Sequence, residues 1–426
     1  MTAVAEISLK YGRDTLRCDL SHAGVLTARV PPPPAEPAEL VQAALEQPIG
    51  CPPLQEIVRP GERVVIVTSD ITRNTGSEHY LPVLVGRLNE SGVPDEDISI
   101  VVALGIHRPQ TEAEHRKILG PLFGRVSVWD HDCDDSANLI GLGSTTGGVE
   151  VAVNRRVAEA DRVIVTGTVG FHYFAGFGGG RKGLVPGVAS RATCMATHYA
   201  VFNPPEVGGK HPLAATGVLV GNPVHEAILE AARMMRPDLL LNTVLSPTGQ
   251  MLAVRCGELH EAHLAACEMV ARLYAVPLDQ PADLAIVSCG GHPKDINFIQ
   301  SHKALDNGVR ALGPGGTIIL LAACPDGFGH STFLDWFRHT GLDNLEAHLR
   351  SHYEINGQTA YSTLMKAKTH RVILVSELSA EHTQAMAMEK ADDLDSALEM
   401  ARQGLPAGAR TVVIPDGGSV VPWPPA

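Results

Sequence analysis

The chain has 426 residues, enough for two or three domains with hydrophobic cores that need no disulfide support. Hydrophobic residues make up 44% and charged residues 19% of it, a balance that excludes a disordered chain, a collagen and a coiled coil. The net charge of −13 and the 4% of aromatic residues argue against a nucleic-acid-binding protein, because such proteins need basic surfaces and stacking rings.

The longest apolar runs have the length of a strand, and no basic stretch followed by a long apolar one opens the sequence. We therefore expect neither a membrane span nor a signal peptide. The eight cysteines form no CxxC pair, which fits a reducing compartment. Together these features predict a cytoplasmic protein without nucleic-acid or membrane partners, and the high glycine content favours a small-molecule site.

Short β-branched runs alternate with helical patterns along the chain. The predicted strands are 64–68, 98–105, 163–169, 284–289, 317–323, 372–376 and 411–415. Helices are expected after 64–68, where apolar residues recur at helical spacing from Leu81 to Leu88, after Thr111, which forms a capping box with Glu114, and after Asn222. Strands that alternate with helices predict an α/β fold of mostly parallel sheets flanked by helices.

A new series of strands and helices begins near 275–282, so we expect two domains. The first spans 1–278 and the second 279–404. The C-terminal tail, 405–426, follows the second domain, and we expect that it can pack back on the first.

Polar clusters follow four of the predicted strands. They are SDITR (69–73), IHRP (106–109), GFHYFAGFGGGRKGLVPG (170–187) and GGHPKDINFIQSHKAL (290–305). Taken singly, Asp70 with Arg73 could be a cap and a solvated charge, and His107 could end a strand. Because ligands of parallel sheets bind at the carboxyl ends of the strands, one shared site explains the four clusters better.

The segment 176–187 carries six glycines around Arg181 and Lys182. Glycine lets a bound group approach the backbone, so we expect Gly178, Gly179, Gly180 and Arg181 to contact an anionic cofactor. A Walker A loop requires glycine before the lysine and Ser or Thr after it, and this segment has neither. Anion binding is therefore expected, and ordinary ATPase chemistry is not.

Lys182 and His198 are candidates for cofactor and metal chemistry. The cation beside Lys182 favours its neutral, nucleophilic amine, which can hold a cofactor covalently. His198 is either a metal ligand or a structural helix histidine. HDCDD (131–135) also offers metal ligands, although such acidic loops are more often only solvated.

In this order, the clusters 69–73, 105–109, 170–187 and 290–305, with THYAVFNP (197–204), resemble the nickel-pincer lactate racemase family. The resemblance implies two α/β domains with the active site in the cleft between them. It also implies a nickel-pincer nucleotide, pyridinium-3,5-bisthiocarboxylic acid mononucleotide nickel, and partner proteins that build this cofactor.

The resemblance further implies individual roles. Lys182 would carry the cofactor through a thioamide, His198 would bind nickel, and His107 and His172 would act as acid and base. The remaining implied contacts are Asp70 to the cofactor and Arg73, Gln300 and Lys303 to the substrate.

The implied reaction inverts C2 of a 2-hydroxy acid. A base takes the hydroxyl proton while hydride passes to the cofactor, and hydride return to the other face of the 2-keto acid gives the enantiomer. Two bases on opposite faces explain the two histidines, and Arg73 and Lys303 suit a carboxylate.

Three positions depart from the family pattern. Gly76 stands where a proline is usual, and Ile299 and Thr359 stand where lactate-type members carry aromatic residues. The substrate is therefore expected to be lactate-like or a larger 2-hydroxy acid, and the smaller side chains favour a longer 2-hydroxy acid or a sugar acid. Two other functions stay open: a nucleotide-dependent kinase or ligase that uses the glycine-rich loop, and a non-catalytic cofactor or metal carrier.

Overall fold

The computed structural model describes residues 6–18 and 23–423. The chain divides into two compact units, which we call the N-terminal unit (residues 30–272) and the C-terminal unit (residues up to 29 and from 273 onward). Both are mixed α/β units with mostly parallel sheets flanked by helices, as predicted. Among the described residues, no helix combines the length and the apolar character that a membrane crossing requires.

The strands are β1 (Ile7–Tyr11), β2 (Asp14–Cys18), β3 (Gly24–Val25), β4 (Val64–Ser69), β5 (Ile98–Ala103), β6 (Ser127–Asp130), β7 (Leu139–Ser144), β8 (Glu150–Asn154), β9 (Arg162–Thr168), β10 (Phe171–His172), β11 (Gly176–Phe177), β12 (Leu239–Leu245), β13 (Met251–Gly257), β14 (Ala275–Pro277), β15 (Ala282–Ser288), β16 (Leu312–Leu321), β17 (Arg371–Val375), β18 (Glu389–Ala391), β19 (Thr411–Ile414) and β20 (Val421–Trp423).

The α-helices are α1 (Pro37–Glu46), α2 (Leu54–Ile57), α3 (Ser77–Glu90), α4 (Glu112–Leu119), α5 (Arg155–Ala158), α6 (Arg191–Tyr199), α7 (Pro223–Arg233), α8 (Glu261–Tyr274), α9 (Phe298–Gly308), α10 (Leu342–Ser351), α11 (Ile355–Thr369), α12 (Ala380–Ala385) and α13 (Leu394–Arg402).

The N-terminal unit is built on a six-stranded sheet in the order β13-β12-β9-β4-β5-β6. All neighbours are parallel except β13, which runs antiparallel to β12. The β4 run Val64–Val67 is buried throughout, as expected for a parallel strand covered on both faces. The predicted apolar side of α3 packs into this core, and the caps at Thr111 and Asn222 form as predicted.

The C-terminal unit has a parallel sheet in the order β18-β17-β16-β15-β19-β3. The predicted domain limits therefore need correction. The tail does not join the first domain, because β19 pairs with β15 of this sheet. Residues 6–18 and 23–29 also belong here, since β3 pairs with β19 and the β1–β2 hairpin packs on the same core.

Candidate active site

The first part of the site follows β4 and β5. Asp70 comes directly after β4, and its Oδ1 accepts hydrogen bonds from the backbone N–H and hydroxyl of Thr72 at 3.1 and 2.6 Å. Its Oδ2 accepts a hydrogen bond from Nδ1 of His107, which follows β5, at 2.5 Å. Since the ring proton lies on Nδ1, the outer nitrogen Nε2 of a neutral His107 is a proton acceptor.

Asp70 is an ionised, buried carboxylate. Burial alone would raise its pKa, but hydrogen bonds from His107 and Thr72 and the charges of His107 and Arg73 outweigh it and hold the pKa below its usual value. The carboxylate is 3% exposed, whereas the side chain of His107 is 44% exposed. Asp70 therefore orients the imidazole from behind and leaves its Nε2 open to a substrate.

The second part of the site is the β10–β11 hairpin. The Nδ1 atom of His172 accepts from the backbone N–H groups of Ala175 and Phe174 at 3.3 and 3.5 Å. A neutral His172 therefore carries its proton on Nε2, the opposite tautomer to His107. Burial, followed by the charge of Lys182, lowers the pKa of His172 well below its usual value, so the ring is neutral.

The ring of Phe174 brings three predicted site residues together. Its centroid lies 4.5 Å from that of His172 and 5.4 Å from that of His198. The Nζ atom of Lys182 lies 5.7 Å from the same centroid. His172, Lys182 and His198 thus surround one buried aromatic ring, that of Phe174, which in sequence is only a neighbour of the glycine-rich segment.

Lys182 lies in a short 3-10 helix, Gly180–Gly183. Burial, followed by the charge of Arg181, lowers the pKa of its amine to about 7. At neutral pH a large fraction of the amine is therefore unprotonated and nucleophilic. This agrees with the expectation that the adjacent cation favours the neutral form.

Arg181 is buried and makes its hydrogen bonds to the loop that surrounds it. Its side chain is 1% exposed, and its Nη atoms donate to the carbonyls of Phe177 at 3.0 Å and Ala175 at 2.8 Å. Nη1 also lies 3.1 Å from Nε2 of His263. Both terminal nitrogens thus bind the protein's own loop, so Arg181 positions that loop, and its contact with a cofactor stays a prediction.

Most of the six glycines in the segment 176–187 are required by packing inside the protein. A Cβ atom at most of the six glycines would lie too close to the protein itself: Gly176 (2.0 Å from the Val218 carbonyl oxygen), Gly179 (2.7 Å from that of Thr168), Gly180 (2.6 Å from the His263 ring), Gly183 (2.9 Å from Val165) and Gly187 (2.1 Å from the Gly183 carbonyl oxygen). At Gly178 the nearest atom is at an ordinary 3.7 Å. The N–H groups of Gly178 and Gly180 donate to Gly170 and Asn242. Internal packing therefore accounts for five of the six glycines, and the contacts of Gly178, Gly179 and Gly180 with a cofactor stay a prediction.

His198 lies in the last turn of α6 and is 3% exposed. Its Nδ1 donates to the carbonyl of Cys194 at 2.9 Å, so Nε2 holds a lone pair. Burial, followed by the charge of Lys182, lowers its pKa to about 3. A neutral imidazole with its proton on Nδ1 is the form that binds metal ions through Nε2.

The HDCDD segment shows mainly structural contacts. Ligand atoms of Asp132, Cys133 and Asp134 lie within 4.8 Å of one another. However, Asp134 forms an ion pair with Arg191 at 2.7 Å, and His131 is buried against the carbonyl of Ala189. These contacts fit a solvated acidic turn.

The other predicted residues lie in the C-terminal unit on α9, which Asn297 caps. Lys303 donates from Nζ to Oε1 of Gln300 at 2.7 Å, so the two predicted substrate contacts share one face of the helix. Thr359 lies on α11, which packs against α9 and is buried there.

Two supporting residues were missed. The hydroxyl of Tyr80 lies 3.1 Å from each of the hydroxyls of Thr68, Thr75 and Thr166, and so fixes the turn that holds Asp70. Asn242 accepts from the N–H of Gly180 at 2.8 Å and supports the Lys182 helix. A polar residue inside the apolar run LLLNTVL (239–245) was the available signal for Asn242.

The two units and these residues define an α/β protein with a buried lysine of lowered pKa close to two buried, neutral histidines, His172 and His198. Residues 11–209 match the family model of the lactate racemase N-terminal domain, and residues 278–422 match that of the lactate racemase C-terminal domain. The chain belongs to the lactate racemase family.

Two curated relatives support this. A lactate racemase of Thermoanaerobacterium thermosaccharolyticum is 32% identical over 98% of this chain and 99% of that protein. A lactate racemase of Lactiplantibacillus plantarum is 33% identical over 90% of this chain and 90% of that protein.

Solved structures agree. The lactate racemase apoprotein from T. thermosaccharolyticum matches with a TM-score of 0.90 at 32% identity, over 98% of this chain and 100% of that one. A Thermotoga maritima protein matches with a TM-score of 0.66 at 19% identity, over 93% of this chain and 100% of that one, and shares the fold.

The lowered pKa of Lys182 can be measured on the apoprotein. We expect the rate of acetylation of the Lys182 amine by a brief pulse of acetic anhydride, followed by peptide mass spectrometry, to reach half its maximum near pH 7. An ordinary lysine requires a pH near ~10.4. Lys182→Arg, which lacks the labelled amine, identifies the peptide, and the other lysines are the internal reference. A pH profile for Lys182 that coincides with theirs would contradict the neutral amine.

Proposed function

We propose that this protein is a racemase or epimerase that inverts C2 of a 2-hydroxy acid with a nickel-pincer nucleotide attached to Lys182. The observation that carries the proposal is the pair of opposite tautomers: His107 presents a lone pair on Nε2 and His172 presents an N–H. A site that exchanges a hydroxyl proton needs both an acceptor and a donor.

His107 is the proton acceptor of the pair, because its Nδ1 donates to Asp70 and its Nε2 holds the lone pair. When its Nε2 takes the hydroxyl proton, the positive ring faces the ionised Asp70 at 2.5 Å, which stabilises the charge. His172, neutral in the unloaded protein, donates a hydrogen bond to a substrate oxygen in the same way that other neutral imidazoles polarise carbonyls. In the reverse direction, protonated His107 returns its proton to the oxygen.

Attachment of the cofactor would change the electrostatics of His172. The charge of Lys182 is the largest cause after burial that lowers the pKa of His172, and it also lowers that of His198. A Lys182 nitrogen held in a thioamide would carry no charge, so this cause of the lowered pKa of both rings would be removed. His172 can then exchange protons more readily than in the unloaded protein.

Residues of the N-terminal unit fit the cofactor. The amine of Lys182 is neutral enough to form the thioamide, and Nε2 of His198 offers one nitrogen ligand of the kind that nickel accepts. When bound, the cofactor supplies the acceptor for the hydrogen that leaves C2 with its electron pair. Proteins that build and load the cofactor are the partners that this chemistry requires.

The substrate is proposed to be a 2-hydroxy acid, as for the relatives named lactate racemase. The guanidinium of Arg73, on the exposed turn after Asp70, and the ammonium of Lys303 are proposed to bind its carboxylate. Ile299 and Thr359 make the side-chain volume on α9 and α11 small, which favours an acid larger than lactate.

Nucleotide-dependent phosphoryl transfer is the weaker alternative. A phosphate-binding loop needs backbone N–H groups that point at the ligand. The N–H groups of Gly178 and Gly180 already donate to Gly170 and Asn242.

Intact-mass measurement tests the covalent cofactor. Protein produced with the cofactor-building proteins should gain mass, with about one nickel per chain by elemental analysis, and Lys182→Ala should show no gain. His198→Ala is the matched variant, because it should keep the added mass and lose nickel. Active protein with an unmodified Lys182 would refute the covalent attachment.

Removal of either histidine ring should abolish racemisation. We expect loaded His107→Ala and His172→Ala each to lose at least ~100-fold in kcat, the usual scale for a general acid or base, with thermal unfolding little changed. His115→Ala, which removes an imidazole bonded to Asp130 outside the site, is the control. Full activity in either site variant would refute the two-histidine scheme.

A panel of 2-hydroxy acids tests the substrate size. Loaded enzyme should show a higher kcat/KM for at least one acid larger than lactate, and Ile299→Tyr should shift the preference toward lactate. A clear preference of the unaltered enzyme for lactate over every larger acid would contradict the inference from Ile299 and Thr359.

A further inference from the structure

Three imidazole rings stack on the C-terminal unit, and none of them belongs to the candidate active site described above. His348 lies in the last turn of α10, His352 follows four residues later, and His339 follows the 3-10 helix Leu334–Arg338. The ring centroids of His339 and His348 are 4.0 Å apart, and those of His348 and His352 are 4.9 Å apart. We call these three residues the histidine stack.

The tautomer of His352 leaves its outer nitrogen available. The hydroxyl of Ser351 donates to the carbonyl of His348 at 2.9 Å. Its oxygen therefore accepts the proton on Nδ1 of His352, also at 2.9 Å. Nε2 of His352 then holds a lone pair, in the same way that outer-shell contacts orient metal-binding histidines.

The other two rings are accessible and short of partners. In the part of the chain that the structure describes, the rings of His339 and His348 make ring contacts but no hydrogen bond. His352 is exposed and the other two residues are half-buried.

The surrounding charges tolerate a cation. His348 and His352 lie at the C-terminal end of α10, where the helix dipole favours positive charge. The two nearby arginines are paired with carboxylates: Arg338 with Asp335 at 3.1 Å and Arg350 with Glu346 at 2.8 Å. A bound ion would therefore not face an uncompensated guanidinium from either flanking element.

We propose that the histidine stack binds a divalent transition-metal ion of the zinc, nickel and copper class. Histidines four residues apart share one face of a helix, and this spacing is the one used by helical zinc sites. Nε2 of His352 and a ring nitrogen of His348 are the primary ligands, and His339 is the third. Imidazole nitrogen suits all three ions.

The stacked rings must rotate about their side-chain bonds before their nitrogens can converge on one ion. The ring of Trp336 lies 5.3 Å from that of His348, so binding should change the fluorescence of this tryptophan. His198, the proposed nickel ligand, lies in the other unit, so the histidine stack is a separate set of imidazoles.

Titration of the cofactor-free full chain with Zn²⁺ tests the proposal. The measurements use a His198→Ala background, so that the proposed nickel ligand cannot contribute. We expect calorimetry to show one binding event that His348→Ala and His352→Ala each weaken roughly 10- to 100-fold, the scale on which metal sites respond to altered ligation. His79→Ala removes an exposed histidine of the other unit and should leave the isotherm unchanged.

Further variants separate the possible outcomes. Ni²⁺ should quench tryptophan fluorescence in the background protein, and Trp336→Phe should remove that response while Zn²⁺ still binds. His348→Gln keeps the size of the side chain and should match His348→Ala, which guards against misfolding. Identical isotherms for the stack variants and the background, or binding lost instead in Asp132→Asn with Asp134→Asn, would overturn the assignment. An ion that binds only when His198 is restored would overturn it as well.

Discussion

The buried guanidinium of Arg181 is the contact on which the lysine-bearing loop depends. It donates to the carbonyls of Ala175 and Phe177, so it joins the β10–β11 hairpin to the 3-10 helix that carries Lys182. Burial lowers its pKa to about 10, which still leaves it charged at neutral pH. Burying such a charge costs several kcal/mol. The cost persists in the fold because the same cation helps to keep the Lys182 amine neutral.

The influence of this one charge extends to the histidines behind the loop. The pKa values of His263 and His225 are lowered by burial and then by Arg181. The ring of His263 also packs where a side chain on Gly180 would lie. A neutral ring at that position avoids a second buried charge beside the guanidinium. Electrostatics and packing therefore impose the same requirement, an uncharged flat side chain, on one residue.

Much of the fold was predictable because its signals are local. Runs of β-branched residues predicted β4, β5 and β9, and the capping box at Thr111 predicted the start of α4. The place of β19 was not predictable in this way. Its partner β15 lies far earlier in the chain, and nothing within Thr411–Ile414 distinguishes one parallel sheet from the other.

The site was predictable in its residue types and less so in its roles. Position after a strand was enough to single out Asp70, His107 and Lys182. The roles of Arg181 and the glycines depended on what those residues contact across the fold. Position 176 requires glycine because a Cβ atom there would lie 2.0 Å from a carbonyl oxygen. The sequence alone does not distinguish such a glycine from one that faces a ligand. A high local content of glycine indicates that another group packs closely against the backbone. It does not show whether that group belongs to the protein or to a ligand.

The charge of the whole chain is also a poor guide to the charge of the site. The chain carries a net charge of −13, yet in the residues that the structure describes the charges acting on Lys182 come from Arg181 and Arg73 rather than from a carboxylate. The carboxylate of Asp70 lies instead behind His107, where it accepts the hydrogen bond from Nδ1 of that ring. A carboxylate beside Lys182 would stabilise its ammonium form and remove its nucleophilicity. Among the described residues, the lack of a carboxylate acting on Lys182 favours its neutral amine, and the carboxylate of Asp70 holds the ring proton of His107 on Nδ1. Each group thereby has the protonation state that the proposed chemistry needs.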